Sequence, residues 1–202
     1  MRRLDDRSPE DFREVSYEKG ACLSSQGSSK ISIGKTIVFV NCIGPFENRT
    51  KEIQTGKANL RVKTYPENPA INELLTTCVE NSLDLSAYPD SVLEIGVSLI
   101  SDDGSLKACA INATMLALID AGYKIKSIIS SVCFGFKNNI IFIDPSHSEE
   151  ELADGTVTYA LTNDSAKIFS TQFEGNIKPE LLTASISRAA CMVKMWDGVF
   201  SK

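Results

Sequence analysis

An acidic turn followed by a helix start is the part of this chain whose residue types best suit chemistry. Asp102, Asp103 and Gly104 are typical turn residues, and either Asp103 or Ser105 can cap the helix that follows. The first turn of a helix leaves backbone N–H groups without helical partners, and the helix dipole adds partial positive charge there. The N–H groups of Gly104, Ser105 and Leu106 are therefore a candidate anion nest, of the kind that holds phosphate.

The segment after this turn predicts a single buried helix over 106–121. Almost every position is small or apolar, and a helix that is apolar on nearly all sides is buried. Its many alanines allow neighbouring elements to approach closely. Gly122 suits the position just beyond the helix end, where a left-handed backbone is common. The candidate nest is thus fixed to the core of the domain.

The side chains that bind metals or carry redox chemistry are sparse. The six cysteines occur without any C-x-x-C pair, and His147 is the single histidine. Such cysteines are typical of small core residues in a chain with no secretion signal. The sequence therefore predicts no metal site and no cofactor.

Charge and hydropathy limit the partners that this chain can bind by itself. The formal net charge is −5 and the sequence pI is about 5.0, whereas a domain that binds nucleic acid alone usually carries a basic patch. Any RNA contact is expected to be made within a larger assembly. No apolar run approaches the roughly 20 residues of a membrane span, and no signal peptide is visible at the N-terminus.

The elements that must position the nest follow from periodicity and turn residues, and they predict an α+β domain with mixed sheets packed against helices. A charged, extended lead-in covers 1–18, interpreted either as a mobile tail or as an arm lying across a neighbouring subunit. The rest of the pattern comprises strands over 28–33, 36–42, 58–65, 91–100, 125–134, 139–143, 156–162 and 166–173, a loop over 47–57, helices over 69–83 and from 178 onward, and a short acidic helix capped by Ser146 or Ser148.

The motif Asp-Asp-Gly-Ser-Leu, followed by an Ala-rich helix that ends Ala-Leu-Ile-Asp-Ala-Gly, resembles the RNase PH family. The similarity is also strong over 27–45 and 140–145, and it is greatest to the ring subunits of the eukaryotic RNA exosome. The Ser-rich segment after Leu23 is similar to the subunit type first described as a regulator of messenger-RNA transport, or to its near paralogue. The resemblance implies one RNase PH-like domain over 1–202, of the ribosomal protein S5 domain 2-like fold.

The resemblance also implies partners and a location. The partners would be other RNase PH-like subunits in a hetero-hexameric ring, cap subunits with RNA-binding domains, and RNA reached through the assembled complex. The location would be the nucleus, including the nucleolus, and the cytoplasm. No membrane partner is implied.

Three departures from the active family pattern bear on catalysis. Leu106 stands where active members carry a phosphate-binding arginine, and Lys107 is expected to point elsewhere because one helical residue rotates a side chain by about 100°. The family's catalytic acid matches Thr156, with Asp154 two residues earlier. No Lys or Arg lies between Lys63 and Lys107. The resemblance therefore implies a subunit with no catalytic residues.

Three alternatives stay open at this point. The chain could be an active phosphate-dependent exoribonuclease in which Lys107 and Asp154 substitute, or a free-standing relative whose nest binds another anion. Arg61 and Lys63 share one face of a predicted strand, which is either a solvated face or, as the resemblance implies, part of an RNA path. Trp196 is either a base-stacking platform or, as its helical spacing favours, a core residue.

Overall fold

The computed structural model describes residues 3, 5–47 and 56–200, and it contains nine strands and five α-helices within them. The strands are β1 Val15–Lys19, β2 Gly27–Ile33, β3 Thr36–Glu47, β4 Asn59–Tyr65, β5 Ser91–Ser101, β6 Ile129–Lys137, β7 Ile140–Ile143, β8 Gly155–Thr162 and β9 Ile168–Gly175. The α-helices are α1 Pro69–Ser82, α2 Leu106–Asp120, α3 His147–Leu152, α4 Pro179–Met192 and α5 Asp197–Phe200. Most of the predicted loop over 47–57 lies outside the described residues.

The strands form two sheets that enclose a helical layer. The first sheet has the order β1-β2-β3-β5-β4, with β4 parallel to β5 and the other pairs antiparallel; the second is antiparallel in the order β7-β6-β8-β9. Helix α2 packs against β2 and β3 on one side and against β6 on the other. Helix α4 covers the opposite face of the second sheet, where Ala189 packs near Val157 and Tyr159. The predicted mixed sheets with packed helices are observed.

Helix α2 forms the centre of the core, as its composition predicts. An unbroken run from Ala108 to Leu118 is buried. A Cβ atom on Gly27 would lie 2.2 Å from the backbone nitrogen of Ala121, so only glycine permits this strand to approach the helix so closely. Gly122 has φ +68°, as predicted for the residue beyond the helix end.

The lead-in packs against its own domain. The side chain of Arg3 forms two hydrogen bonds to the Glu149 carboxylate, of 2.8 and 2.7 Å, and Arg13 forms a similar pair, of 2.9 and 2.7 Å, with Asp144. Both arginines are buried. The mobile-tail interpretation is therefore wrong for the described part of this segment, and the lead-in ends where β1 begins, at Val15 rather than after residue 18.

Two predicted elements have different bounds. Strand β6 begins at Ile129, not at residue 125, because the preceding residues bond to the end of α1, with Lys126 donating to the Ser82 carbonyl at 2.7 Å. The C-terminal helix is divided, since a 3-10 segment over Val193–Trp196 separates α4 from α5. Trp196 is buried and stacks on Phe200, which confirms its interpretation as a core residue. No helix in the described part of the chain is long and apolar enough to cross a membrane.

Candidate functional site

The helix start of α2 opens into a cleft of about 440 Å³ between α3 and the paired strands β8 and β9. The charged and hydroxyl-bearing side chains that line it are those of Asp102, Ser105, Lys107, Glu150, Asp154, Thr156, Thr158 and Glu174. The cleft therefore brings together the predicted nest, the predicted acid position and both proposed substitute residues.

The backbone at the helix start adopts the geometry of a nest. Gly104 and Ser105 have φ of +86° and +55°, values that are unusual for a residue with a side chain. A Cβ atom on Gly104 would lie 2.5 Å from the Pro145 carbonyl oxygen, so glycine is required there. Ser105 is the N-cap, but its hydroxyl donates to Pro145 at 3.0 Å instead of capping the helix. The loop is thus locked onto the turn before α3.

Carboxylates of the chain itself bind the nest. The N–H of Ser105 donates to Oε1 of Glu150 at 2.8 Å, and the N–H of Gly104 donates to Oδ1 of Asp102 at 3.0 Å. Two of the three N–H groups that the sequence indicated as anion donors are therefore already bonded to anions. Glu150 lies on α3, four residues after the Ser146 N-cap of that helix, so the capped acidic helix delivers this carboxylate to the nest.

Glu149 and Glu150 are neighbours with opposite electrostatic environments. Burial raises the pKa of Glu150, and the Ser105 N–H offsets this only in part. Burial also tends to raise the pKa of Glu149, but the hydrogen bond from Arg3 and the charges of Arg3 and Arg7 outweigh it, so that this pKa is lowered. Of the two carboxylates, Glu149 is bound by a guanidinium, whereas Glu150 is bound by the nest.

Arg13 is a residue of this region that sequence reasoning missed. Its guanidinium donates to the carbonyl oxygens of Asp103 and, at 3.0 Å, of Gly104, and it pairs with the Asp144 carboxylate. Arg13 therefore binds the carbonyl side of the loop, while the N–H groups face the cleft. No spacing rule connects residue 13 with residue 104, so the sequence did not predict this contact.

Leu106 stands at the position expected for the phosphate-binding arginine, and Lys107 follows it. Leu106 lines the cleft, as expected, and supplies no charge. The expectation that Lys107 points elsewhere is wrong, because Lys107 lines the same cleft and forms an ion pair with Glu174 on β9. The ammonium group of Lys107 is therefore already paired with a carboxylate.

Thr156, the position expected to match the family's catalytic acid, has a hydroxyl side chain. Thr156 lies opposite Glu174 in the β8–β9 ladder and opposite Gly135 in the β6–β8 ladder. Asp154 precedes β8, and its Oδ2 accepts a 2.9 Å hydrogen bond from the N–H of Asn138 in the turn between β6 and β7. The Asp154 carboxylate thus supports a neighbouring turn.

Arg61 and Lys63 lie outside the cleft. Both are exposed on β4, an edge strand of the first sheet, with the half-buried Leu60 and Val62 packed inward as predicted. Arg61 is in register with Glu94 of β5. The structure therefore separates these two cations from the nest.

The charge of the cleft is strongly negative. Among the described residues, four carboxylates line it, from Asp102, Glu150, Asp154 and Glu174, against one ammonium, that of Lys107. No group of three or more His, Cys, Asp or Glu side chains in the described chain could hold a metal ion. A phosphate that entered this cleft would meet repulsion from more anions than it could find cations.

Comparisons with known proteins place these features in context. The family model described as "3′ exoribonuclease family, domain 1" (RNase PH) matches residues 11–124, more than half of the chain. The exosome complex component Rrp41 of Methanosarcina mazei is 26% identical over 88% of this chain, which spans 39% of that relative's length. The Arabidopsis thaliana protein named exosome complex exonuclease RRP46 homolog is 28% identical over 74% of this chain and 66% of its own length. The crystal structure of rice Rrp46 covers 99% of both chains with a TM-score of 0.90 at 22% identity, so the fold is shared.

Proposed function

The chain belongs to the RNase PH family of 3′ exoribonucleases, and on that premise we propose that it is a non-catalytic structural subunit of an RNA exosome core ring. Its α+β, RNase PH-like fold is the one expected from the sequence. In this role it forms part of the RNA channel and supports 3′–5′ RNA processing and degradation by its shape and contacts.

The hydrogen bond between Ser105 and Glu150 carries the proposal that catalysis is lost. Phosphorolysis brings inorganic phosphate against a phosphodiester, so two anions must meet, and guanidinium groups together with backbone N–H donors normally neutralise them. Here a carboxylate occupies the nest at 2.8 Å, and Leu106 adds no cation. The phosphate site has become an internal contact.

The partners follow from the relatives. Proteins similar to this chain are named as exosome components, and a solved structure of the same fold is described as an archaeal exosome core. We propose that this chain joins other RNase PH-like subunits in a hetero-hexameric ring that also binds cap subunits with RNA-binding domains. The locations proposed for it are the nucleus, with the nucleolus, and the cytoplasm. The subunit type that we propose is the messenger-RNA-transport-regulator type or its near paralogue.

RNA contacts by this subunit are proposed for Arg61 and Lys63. Both side chains are exposed on one face of β4, spaced two residues apart, which is about 6.6 Å along a strand. Cations in such a row can follow the phosphates of an extended RNA strand. The acidic cleft takes no part in this contact.

The activity of the purified chain tests the catalytic part of the proposal. We expect no nucleoside diphosphate to be released when the protein is incubated with inorganic phosphate and an RNA oligonucleotide that has a free 3′ end. An active RNase PH, assayed in parallel, should degrade the same oligonucleotide. Release of diphosphates that is abolished by Asp154→Ala or Lys107→Ala would instead establish the alternative, an active enzyme with displaced residues.

Assembly tests the structural part. Co-expression with the other RNase PH-like subunits of the source organism, followed by native mass spectrometry, should give a hetero-hexamer with one copy of this chain. A stable monomer that binds none of them would contradict the ring proposal and favour a free-standing relative.

A further inference from the structure

We propose that strand β9 is a docking edge, on which a strand from a neighbouring RNase PH-like chain extends the second sheet. This inference rests on the proposed ring function and specifies the surface that the ring would use. It follows from the position, exposure and composition of β9, which differ from those of the other sheet edges.

The outer edge of β9 has no hydrogen-bond partner among the described residues. The strand ends the second sheet, and the backbone bonds of residues 168–174 within that part of the chain are those of the ladder with β8. Every residue from Thr171 to Gly175 is exposed. An exposed row of unpaired N–H and C=O groups is a template for another strand.

The comparable edges are protected. At the other end of the second sheet, β7 has only four residues, and the lead-in lies beside it, with the N–H of Ile143 donating to the Pro9 carbonyl at 2.8 Å. On β4 of the first sheet, the N–H of Thr64 donates to Oδ1 of Asn72 on α1 at 2.8 Å. The remaining edge, β1, has five residues, including Glu18 and Lys19. Short length, charge and caps are the usual devices against edge pairing.

The sequence of β9 lacks these devices. It contains no lysine or proline, its one charged residue is Glu174 near the end, and β-branched and aromatic residues dominate the rest. Phe173 is 66% exposed, an unusual state for a phenylalanine on a strand. A partner strand would cover this ring and satisfy the open backbone groups together.

Charge selects a protein strand over nucleic acid as the occupant. The cleft carboxylates, including Glu174, lie at the C-terminal end of β9 and would repel RNA phosphates. Hydrogen bonding between two strand backbones does not depend on charged side chains. The residues of the partner strand that lie next to Glu174 should be neutral or basic. The occupant is therefore an extended strand of another protein subunit.

Hydrogen exchange on the free chain and on the reconstituted ring tests the pairing directly. We expect amides over 168–175 to exchange quickly in the free protein and to become protected in the complex. Unchanged exchange over 168–175 in an assembled ring would overturn the inference. Protection in the free protein that depends on its concentration would show self-pairing, and it would also contradict a neighbouring chain as the occupant.

A matched pair of variants gives a second test. Thr171→Lys with Phe173→Lys places charge on the open edge, and the yield of complex should fall roughly tenfold or more, as for loss of an interface hot spot. Tyr65→Lys alters another exposed aromatic residue, 57% exposed, on the capped edge β4, and this variant should assemble as the unmodified chain does. Thermal unfolding of each variant alone verifies that it folds. Normal assembly of the β9 variant refutes this surface, whereas absence of any complex with the unmodified chain refutes the ring proposal itself and this inference with it.

Discussion

The Oε1 atom of Glu150 accepts a hydrogen bond of 2.8 Å from the backbone N–H of Ser105, the left-handed N-cap residue of α2. This carboxylate binds one of the N–H groups that we expected, from the sequence, to hold a phosphate. One internal contact thus satisfies a backbone donor that would otherwise need a ligand or water. The backbone donor at this helix start thus has a partner within the chain itself, as the proposed non-catalytic role requires.

Removal of this carboxylate should expose the nest. In Glu150→Ala we expect a loss of stability on the order of 1 kcal/mol, because a backbone donor loses its partner, and we expect inorganic phosphate to raise the melting temperature. Glu151→Ala is the matched control, since Glu151 is the next residue, is exposed and, within the described part of the chain, forms an ion pair with His147 alone, at 3.6 Å. Differential scanning fluorimetry with phosphate or chloride at equal ionic strength measures both effects. An equal phosphate response in the unmodified protein would show that Glu150 does not block the nest.

The neighbouring glutamates should respond to pH in opposite directions. Because the pKa of Glu149 is lowered, this residue stabilises the fold at pH values above 4.5, its ordinary pKa. That stability is lost as the pH falls through the folded-state pKa. Because the pKa of Glu150 is raised, this residue stabilises the fold at pH values below 4.5, its ordinary pKa. That stability is lost as the pH rises through the folded-state pKa. At neutral pH, Glu149→Gln should therefore melt below the unmodified protein and Glu150→Gln above it. Both differences should shrink in acid, as urea unfolding between pH 4 and 7 can measure; shifts of the same sign would contradict the assignment.

Local patterns predicted most of the elements because their causes are local. The hairpin of β2 and β3 turns at Gly34, and Gly122 ends α2, since both residues favour the left-handed backbone found there. The start of β6 was misplaced because Ile125 and Ile128 favour a strand, whereas residues 125–127 bond to Ser82 and Leu83 at the end of α1. That competition between partners is tertiary, and periodicity carries no information about it.

The site was predicted only in part for the same reason. The turn and the nest were found because their residue types lie together in the chain. Glu150, which binds the nest, is 45 residues from Ser105, and Arg13, which binds the reverse side of the loop, is 91 residues from Gly104. A single sequence does not reveal such pairs. Helical rotation alone also misplaced Lys107, because a long side chain can reach round to Glu174.

Arg13 should be among the most sensitive positions for stability. Its removal takes both guanidinium hydrogen bonds from the buried Asp144 carboxylate. A backbone N–H at residue 13, at 2.9 Å, and the longer contact to Arg7, at 3.6 Å, remain, and no cation of the described chain stays within hydrogen-bonding distance, so Arg13→Ala should lower the free energy of unfolding by about 3 kcal/mol. Arg188→Ala, which breaks an exposed pair with Glu10 at 4.0 Å, should cost at most about 0.5 kcal/mol. Urea denaturation of both variants measures the contrast. An equal decrease in the free energy of unfolding for both variants would mean that the buried ion pair of Arg13 and Asp144 does not hold the lead-in in place.

Arg61 and Lys63 should affect RNA binding by the assembled complex and leave stability unchanged. Each phosphate contact that is lost should reduce the slope of log affinity against log salt by about 0.7 for a single strand. The double variant Arg61→Ala with Lys63→Ala should therefore lower this slope by up to about 1.4. The control Lys35→Ala changes a lysine in the β2–β3 turn, and the slope should stay almost unchanged. Fluorescence anisotropy at several salt concentrations measures this. Equal slopes for both variants would identify the β4 face as an ordinary solvated surface.

Restoration of the missing arginine should fail by itself. In Leu106→Arg the new guanidinium would enter a cleft with four carboxylates and one lysine, so we expect it to pair with Glu150 or Glu174 and not to bind phosphate. The double variant Leu106→Arg with Glu150→Ala removes one competitor and frees the Ser105 N–H, so phosphate should bind to it more tightly than to either single variant. Isothermal titration with phosphate measures the three affinities. Phosphate binding by Leu106→Arg equal to that of the double variant would show that the absent arginine alone, and not the carboxylate in the nest, keeps phosphate out.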